Sequence, residues 1–206
     1  MRIVTANELQ GWLSAGDVLE KDSKGPKVIR LPEGDIVKIF RSRRLPLIAR
    51  LRPDSRRFAE RAEHLQRLGI KTPSIRESCW IDRDQAVSAC LYQPLEGTPL
   101  DKLFHNSRAQ FDALLPQLGR YIYRLHQRGI YFRSLHLGNV LYTPDGDFGL
   151  IDFLDIRFKN RPLRPTLIRR NFEHLRGYLL RRSVQNFPWD ELMHDAAYQH
   201  ALERLP

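Results

Sequence analysis

The chain has 206 residues, 42% of them hydrophobic and 28% charged, an ordinary globular composition that can bury a core and does not describe a disordered chain. Lys and Arg number 34 against 24 Asp and Glu, a formal charge of +10, which favours a polyanionic neighbour such as nucleic acid, an acidic membrane face or a phosphorylated sugar. Two cysteines, Cys79 and Cys90, are too few for a disulfide framework and read as buried thiols in a reducing compartment, and no run approaches the roughly 18 apolar residues of a membrane span.

The opening MRIVTANELQGWL lacks the apolar core and small-residue cleavage site of a signal peptide. Its TANE stretch, Thr5 with Glu8, reads as a capping box that starts a short helix. DVLEK (17–21), KVIRL (27–31) and DIVKIF (35–40) are predicted strands, with PEGD (32–35) as a hairpin turn in which Gly34 permits positive φ. Together they form a meander. RSRRLPLIARLRPDSRR is dense in arginine and broken by Pro46 and Pro53. SRRFAERAEHLQRLGI has helical spacing, with Ser55 as a candidate N-cap, Phe58, Ala62, Leu65 and Leu68 as its apolar stripe, and Gly69 as its stop. ESCWIDRDQAVSACLYQPL predicts two strands around DRDQ.

From Pro94 the character turns helical. Phe111, Leu114, Leu115, Leu118, Ile122 and Leu125 mark one side of a long helix that contains Pro116 and ends at Gly129. NVLYTPDGDFGLIDF is a hairpin with its turn at Pro144–Asp147. TLIRRNFEHLRGYLLRRS and PWDELMHDAAYQHALERL are expected terminal helices. The expected class is α+β: a β-rich N-terminal part (1–93) of antiparallel strands with one main helix, and a mostly α C-terminal part (94–206).

The hairpin has chemistry at its open end. Asn139 precedes its first strand and Asp152 follows its second, so the two ends return side by side. An amide oxygen and a carboxylate so placed can hold Mg²⁺, a hard cation that takes oxygen ligands, with a nucleotide's phosphates completing the shell. Lys38 sits among Ile36, Val37, Ile39 and Phe40, where an ammonium needs a partner or a ligand. Glu60 on the following helix is the expected partner, with Glu63 one turn on as the alternative.

In this order and spacing the blocks resemble the protein-kinase-like superfamily. DIVKIF resembles the strand of the nucleotide lysine, AERAEHLQRLGIKTP the helix of its glutamate, LYQPLEGTPL the hinge, FRSLHLGNVL the catalytic loop and LIDFLD the metal-binding motif. The closer resemblance, over roughly 28–158, is to small bacterial lipopolysaccharide kinases that phosphorylate Kdo or heptose. It implies a small bilobal protein-kinase-like fold, the cofactors ATP and Mg²⁺, and nucleotide contacts from Gly25, Lys38, Glu60, Gln93, Asn139 and Asp152, the last two as metal ligands.

Two departures stand out. EKDSKGPK has a single glycine, Gly25, where a phosphate loop holds several. Ser134 occupies the position of the catalytic aspartate, behind a retained Arg133 and with Phe132 in place of histidine. General-base help is worth about 10² to 10⁴ in rate, so the serine weakens turnover unless another group serves. Ser134 itself or His136 would orient the acceptor hydroxyl, and Asp155 is a further acid nearby. The expected function is ATP-dependent phosphorylation of an inner-core sugar. The alternative is a pseudokinase that binds nucleotide and regulates envelope synthesis. The expected partner is anionic lipopolysaccharide core or the inner surface of the inner membrane, reached from the cytoplasm. Nucleic acid is not expected, because no RNA-binding aromatic motif is present. The arginines of 41–57 read as a solvated face or as a dock for anionic lipid or core phosphates. The stripe Phe172, Leu175, Leu179 reads as core packing.

Overall fold

An antiparallel sheet built from a three-strand meander and a hairpin organises the N-terminal part of this computed structural model, which describes residues 1–42, 45–184 and 186–194. The chain divides into two compact units, Met1–Leu95 and Glu96–Pro206.

In the first unit, helix α1 (Ala6–Ala15) starts as expected: the Thr5 side chain accepts from the Glu8 backbone N–H at 3.2 Å. The Glu8 carboxylate does not return to Thr5; it takes Arg2 at 2.6 Å. Strands β1 (Asp17–Asp22), β2 (Gly25–Arg30) and β3 (Ile36–Arg41) form the predicted meander, joined to β4 (Ser74–Asp82) and β5 (Val87–Gln93) in the order β1-β2-β3-β5-β4. Gly34 has φ +94° at the β2–β3 turn, where an L side chain would be strained. Every residue of β3 from Ile36 to Phe40 is buried, because the sheet is covered on both faces. One face packs Ile29, Val37, Ile39, Cys79 and Ala89 against Leu9, Trp12 and Leu13 of α1. The other meets α3 (Asp54–Arg67), whose Phe58 ring lies 5.5 Å from Phe40 and 5.7 Å from Tyr92.

Two local expectations change. The arginine-rich segment contains a short helix, α2 (Pro46–Leu51), that its sequence did not announce; Arg43 and Arg44 lie outside the described residues. Ser55 is not the cap of α3. Pro53 holds that position, and Ser55 is buried in the first turn, its carbonyl accepting from Ser78 Oγ and its N–H donating to Ser88 Oγ. Gly69, at φ +67°, ends the helix as expected.

The second unit runs β6 (Thr98–Pro99), α4 (Leu100–Asn106), α5 (Arg108–Gln127), β7 (Ile130–Tyr131), a 3₁₀ turn (Leu137–Asn139), β8 (Val140–Tyr142), β9 (Phe148–Leu150), β10 (Arg157–Phe158), α6 (Pro165–Arg181) and α7 (Trp189–Met193). Helix α5 carries Pro116 within it and buries Phe111, Leu115, Leu118, Ile122 and Leu125. Gly129, at φ +70°, turns the chain where any Cβ would strike the carbonyls of Lys159 and Arg161. Strands β8 and β9 form the predicted hairpin, its turn closed by Thr143 N–H donating to the Asp147 carbonyl at 2.9 Å. Helix α6 buries Ile168, Phe172, Leu175 and Leu179, the core stripe expected of it. Of the last expected helix the described residues contain α7; positions 195–206 lie outside the described residues. No helix among the described residues is long and apolar enough to cross a membrane.

Candidate functional site

Lys38 is central in β3, opposite Val28 on one side and Cys90 on the other. Its side chain is buried against α3, with Nζ 5.5 Å from the Phe58 ring centre and 5.9 Å from that of Phe40. An ammonium over aromatic faces is partly compensated for lost hydration.

Neither expected glutamate faces that strand. Helix α3 turns Ser55, Phe58, Ala62 and Leu65 inward. With about 3.6 residues per turn, Glu60 then lies roughly 200° and Glu63 roughly 140° from Phe58. Glu60 is bridged instead to Arg52 at 2.6 Å and Arg56 at 3.2 Å, and the Arg52 hydrogen bond holds its carboxyl below the usual carboxylate range. The acid on the sheet-facing side of α3 is Asp54, one turn before Phe58, with a side chain 12% exposed and Arg57 at 2.6 Å. Sequence reasoning missed it, although its i, i+4 spacing to Phe58 places it there.

Gly25 has φ +109° and pairs with Asp22 across the tight β1–β2 turn. The Lys24 N–H donates to the Asp22 carboxylate at 2.8 Å. One backbone amide of this turn is therefore taken from within, by a carboxylate that also lies 3.6 Å from Arg41. Gln93 is the last residue of β5, exposed and paired with Ser74.

In the second unit, a buried polar chain sets the segment after Gly129. Asn171 of α6 donates through Nδ2 to the Phe132 carbonyl at 2.6 Å, which turns its Oδ1 to His126 Nε2 at 2.9 Å. The imidazole is thus the donor of that second bond. Burial pushes the His126 pKa down to about 4. The Phe132 ring is fully buried, so an apolar ring anchors the segment from one side and a hydrogen-bonded carbonyl from the other.

The next residues converge. The Ser134 hydroxyl donates to Asp155 Oδ2 at 2.7 Å. Asn139 donates through Nδ2 to the Ser134 carbonyl at 3.0 Å, while its own carbonyl accepts from Ile151 N–H at 3.0 Å. That last bond continues the β8–β9 ladder and sets Asn139 beside the residue preceding Asp152. Asp152 is exposed and has φ +51°, an unusual backbone for a residue other than glycine, and such backbones cluster at functional positions. Asp155 is carried by the turn that follows, in which Ile156 N–H donates to the Phe153 carbonyl and both Phe153 and Ile156 are fully buried.

His136 is oriented by packing. Its ring stacks on Tyr178 of α6 at 4.0 Å and 5°. Burial lowers its pKa, against the upward pull of Asp152, Asp101 and Asp155, which favours the neutral imidazole. Gly138 leaves room here: a Cβ would come within 3.1 Å of Asp101 and 3.5 Å of His136 Nδ1.

Arg133, Ser134, His136, Asp155, His174, Tyr178 and Arg181 line a cavity of about 280 Å³. Three of its lining residues hold buried polar atoms without a hydrogen-bond partner: His136 Nδ1, Asp155 Oδ1 and His174 Nε2. Buried polar groups are ordinarily satisfied, so such a concentration is where a ligand or water is called for. The structure therefore brings Arg133, Ser134 and His136 together on one wall. It adds Asp155, which the sequence offered only as a further acid nearby, and His174, Tyr178 and Arg181, which the sequence reading passed over. Their signal was the polar i, i+3 and i+4 series Asn171, His174, Tyr178, Arg181 beside the apolar stripe of α6.

Among the described residues, no three His, Cys, Asp or Glu side chains are grouped to hold a metal. Asn139 and Asp152 offer two oxygen ligands, a donor set that fits Mg²⁺ only with phosphate oxygens or water completing it. No protein-family model matches the chain, and no curated protein matches it.

Proposed function

We propose that the chain is a small bilobal protein-kinase-like phosphotransferase that moves the γ-phosphoryl group of ATP to a hydroxyl of Kdo or heptose in the lipopolysaccharide inner core. The observation that carries this reading is the 2.7 Å hydrogen bond from Ser134 to Asp155, in a loop that also holds Asn139 next to the strand end bearing Asp152. The carboxylate absent at position 134 is supplied from position 155. An acceptor hydroxyl in the cavity gives its proton to Ser134 Oγ as Ser134 passes its own to Asp155 Oδ2. Arg133 and Arg181 attract the anionic acceptor, and the stacked His136 walls it. Asn139 and Asp152 hold Mg²⁺, which when bound neutralises phosphate charge. Lys38 supplies the positive charge for the nucleotide.

A second reading, a nucleotide-responsive pseudokinase, draws support from Ser134 standing in the position of the catalytic aspartate. Transfer of labelled phosphate from ATP to dephosphorylated core oligosaccharide separates the two. Asp155→Asn keeps a partner for Ser134 and removes the proton acceptor, so turnover falls by about 10² or more while Mg·ATP binding is retained. Full turnover in that variant refutes the relay. Absence of any Mg²⁺-dependent thermal stabilisation by ATP refutes both readings.

A further inference from the structure

Helix α2 shows the solvent its apolar side. Ala49 is 1% exposed and packs with Trp80 and Ala86, which pins the helix to the first unit. With Ala49 inward, Leu47 and Leu51 project roughly 200° away and Ile48 about 100° away. Leu47, Ile48 and Leu51 are accordingly 70%, 48% and 76% exposed, and Leu45, the residue before the helix, is 70% exposed. Exposed apolar residues scattered singly need no explanation, but a contiguous set held outward by an anchored helix marks an interaction surface.

The flanking charge identifies the partner. Arg41, Arg43, Arg44, Arg50 and Arg52 fall within positions 41–52, and no acidic residue does. Asp22, Asp84 and Glu60 reach in from elsewhere to pair with Arg41, Arg50 and Arg52, and against these three acids the five arginines leave a surplus of two positive charges. A second copy of the chain is disfavoured, because a two-fold contact would set each arginine cluster against its twin. A surface of lipid phosphates over hydrocarbon matches both features: leucine and isoleucine enter the acyl boundary while arginines remain at headgroup level.

We propose that the α2 edge docks the protein onto an anionic lipid bilayer. This surface stands on its own observations and holds whether or not the chain transfers phosphate. Co-sedimentation of the full chain with vesicles tests it, using phosphatidylcholine alone and phosphatidylcholine with roughly one third phosphatidylglycerol. The expected result is binding to the anionic vesicles, at least about tenfold weaker binding to the neutral ones, and loss of affinity with salt. Combining Leu47→Ser, Ile48→Ser and Leu51→Ser weakens anionic-vesicle binding about tenfold or more, with an unchanged melting temperature because these side chains are exposed. Arg43→Gln with Arg44→Gln weakens it several-fold in low salt and leaves neutral-vesicle binding as it was. Wild-type vesicle binding by the triple serine variant, or equal binding of the parent to both vesicle types, overturns the proposal. So does a concentration-dependent dimer that the triple variant abolishes while neither protein binds vesicles.

Discussion

Ser134→Asp is the substitution that the family pattern invites, and the structure turns its expected effect around. Ser134 Oγ lies 2.7 Å from Asp155 Oδ2, so an aspartate at 134 brings a second carboxylate to about 4 Å from the first. Two such charges repel by about 4 kcal/mol at an effective dielectric constant near 20. Ser134 is only half-buried, and screening reduces this to about 2 to 4 kcal/mol. One carboxyl of the pair then titrates about 1.5 to 3 pH units above its unfolded value. The sign follows: a carboxyl whose folded pKa is raised is penalised once pH passes its unfolded pKa, and the penalty is complete above its folded pKa. Denaturant unfolding of parent and variant at about pH 4.5 and pH 8 should therefore show a small difference in acid and one near 2 to 4 kcal/mol in base. An equal loss at both pH values would mean that volume, not charge, is responsible, and would refute the Ser134–Asp155 pairing as described. In the phosphotransfer reading the same variant gains no turnover, because the carboxylate is already present.

Three further outcomes are expected. Asn171→Leu strands His126 Nε2 and the Phe132 carbonyl in the core and lowers unfolding free energy by about 2 to 4 kcal/mol by denaturant titration, the lower figure applying if water enters. The parent loses stability as pH falls from about 6.5 towards 4, because the unfolded His126 takes a proton that the buried ring, at about 4, refuses; the integrated loss from this one group is about 3 kcal/mol, and His126→Gln flattens that part of the profile. Burial raises the thiols of Cys79 and Cys90 to about 11 and about 12, so a thiol reagent at neutral pH labels neither until the protein is unfolded, and fast labelling of the native chain would contradict their placement.

What could be read in the letters was what local periodicity controls. The β2–β3 hairpin with its glycine turn, the inward stripe of α3, the long α5 with Gly129 after it, and the β8–β9 hairpin with Asn139 and Asp152 at its open end all follow from apolar spacing and turn chemistry within windows of a dozen residues. Helix α2 was not legible, since two prolines and a crowd of arginines mask a pattern only six residues long. The face of Glu60 was legible in principle: the same stripe that identifies α3 turns Glu60 and Glu63 away from the strand of Lys38, and the family pattern overrode it.

The sequence by itself determined the α+β class, the order of the longer elements and the loop that gathers Arg133, Ser134, His136 and Asn139, because those depend on neighbours in the chain. Tertiary packing decided that Asp155, 21 residues on, meets Ser134, that α6 lends His174 and Tyr178 to the same cavity, and that the leucines of α2 face outward while Ala49 faces in. A side chain's local spacing states which face of its own element it occupies. Only the packing of that element against others states what the face meets.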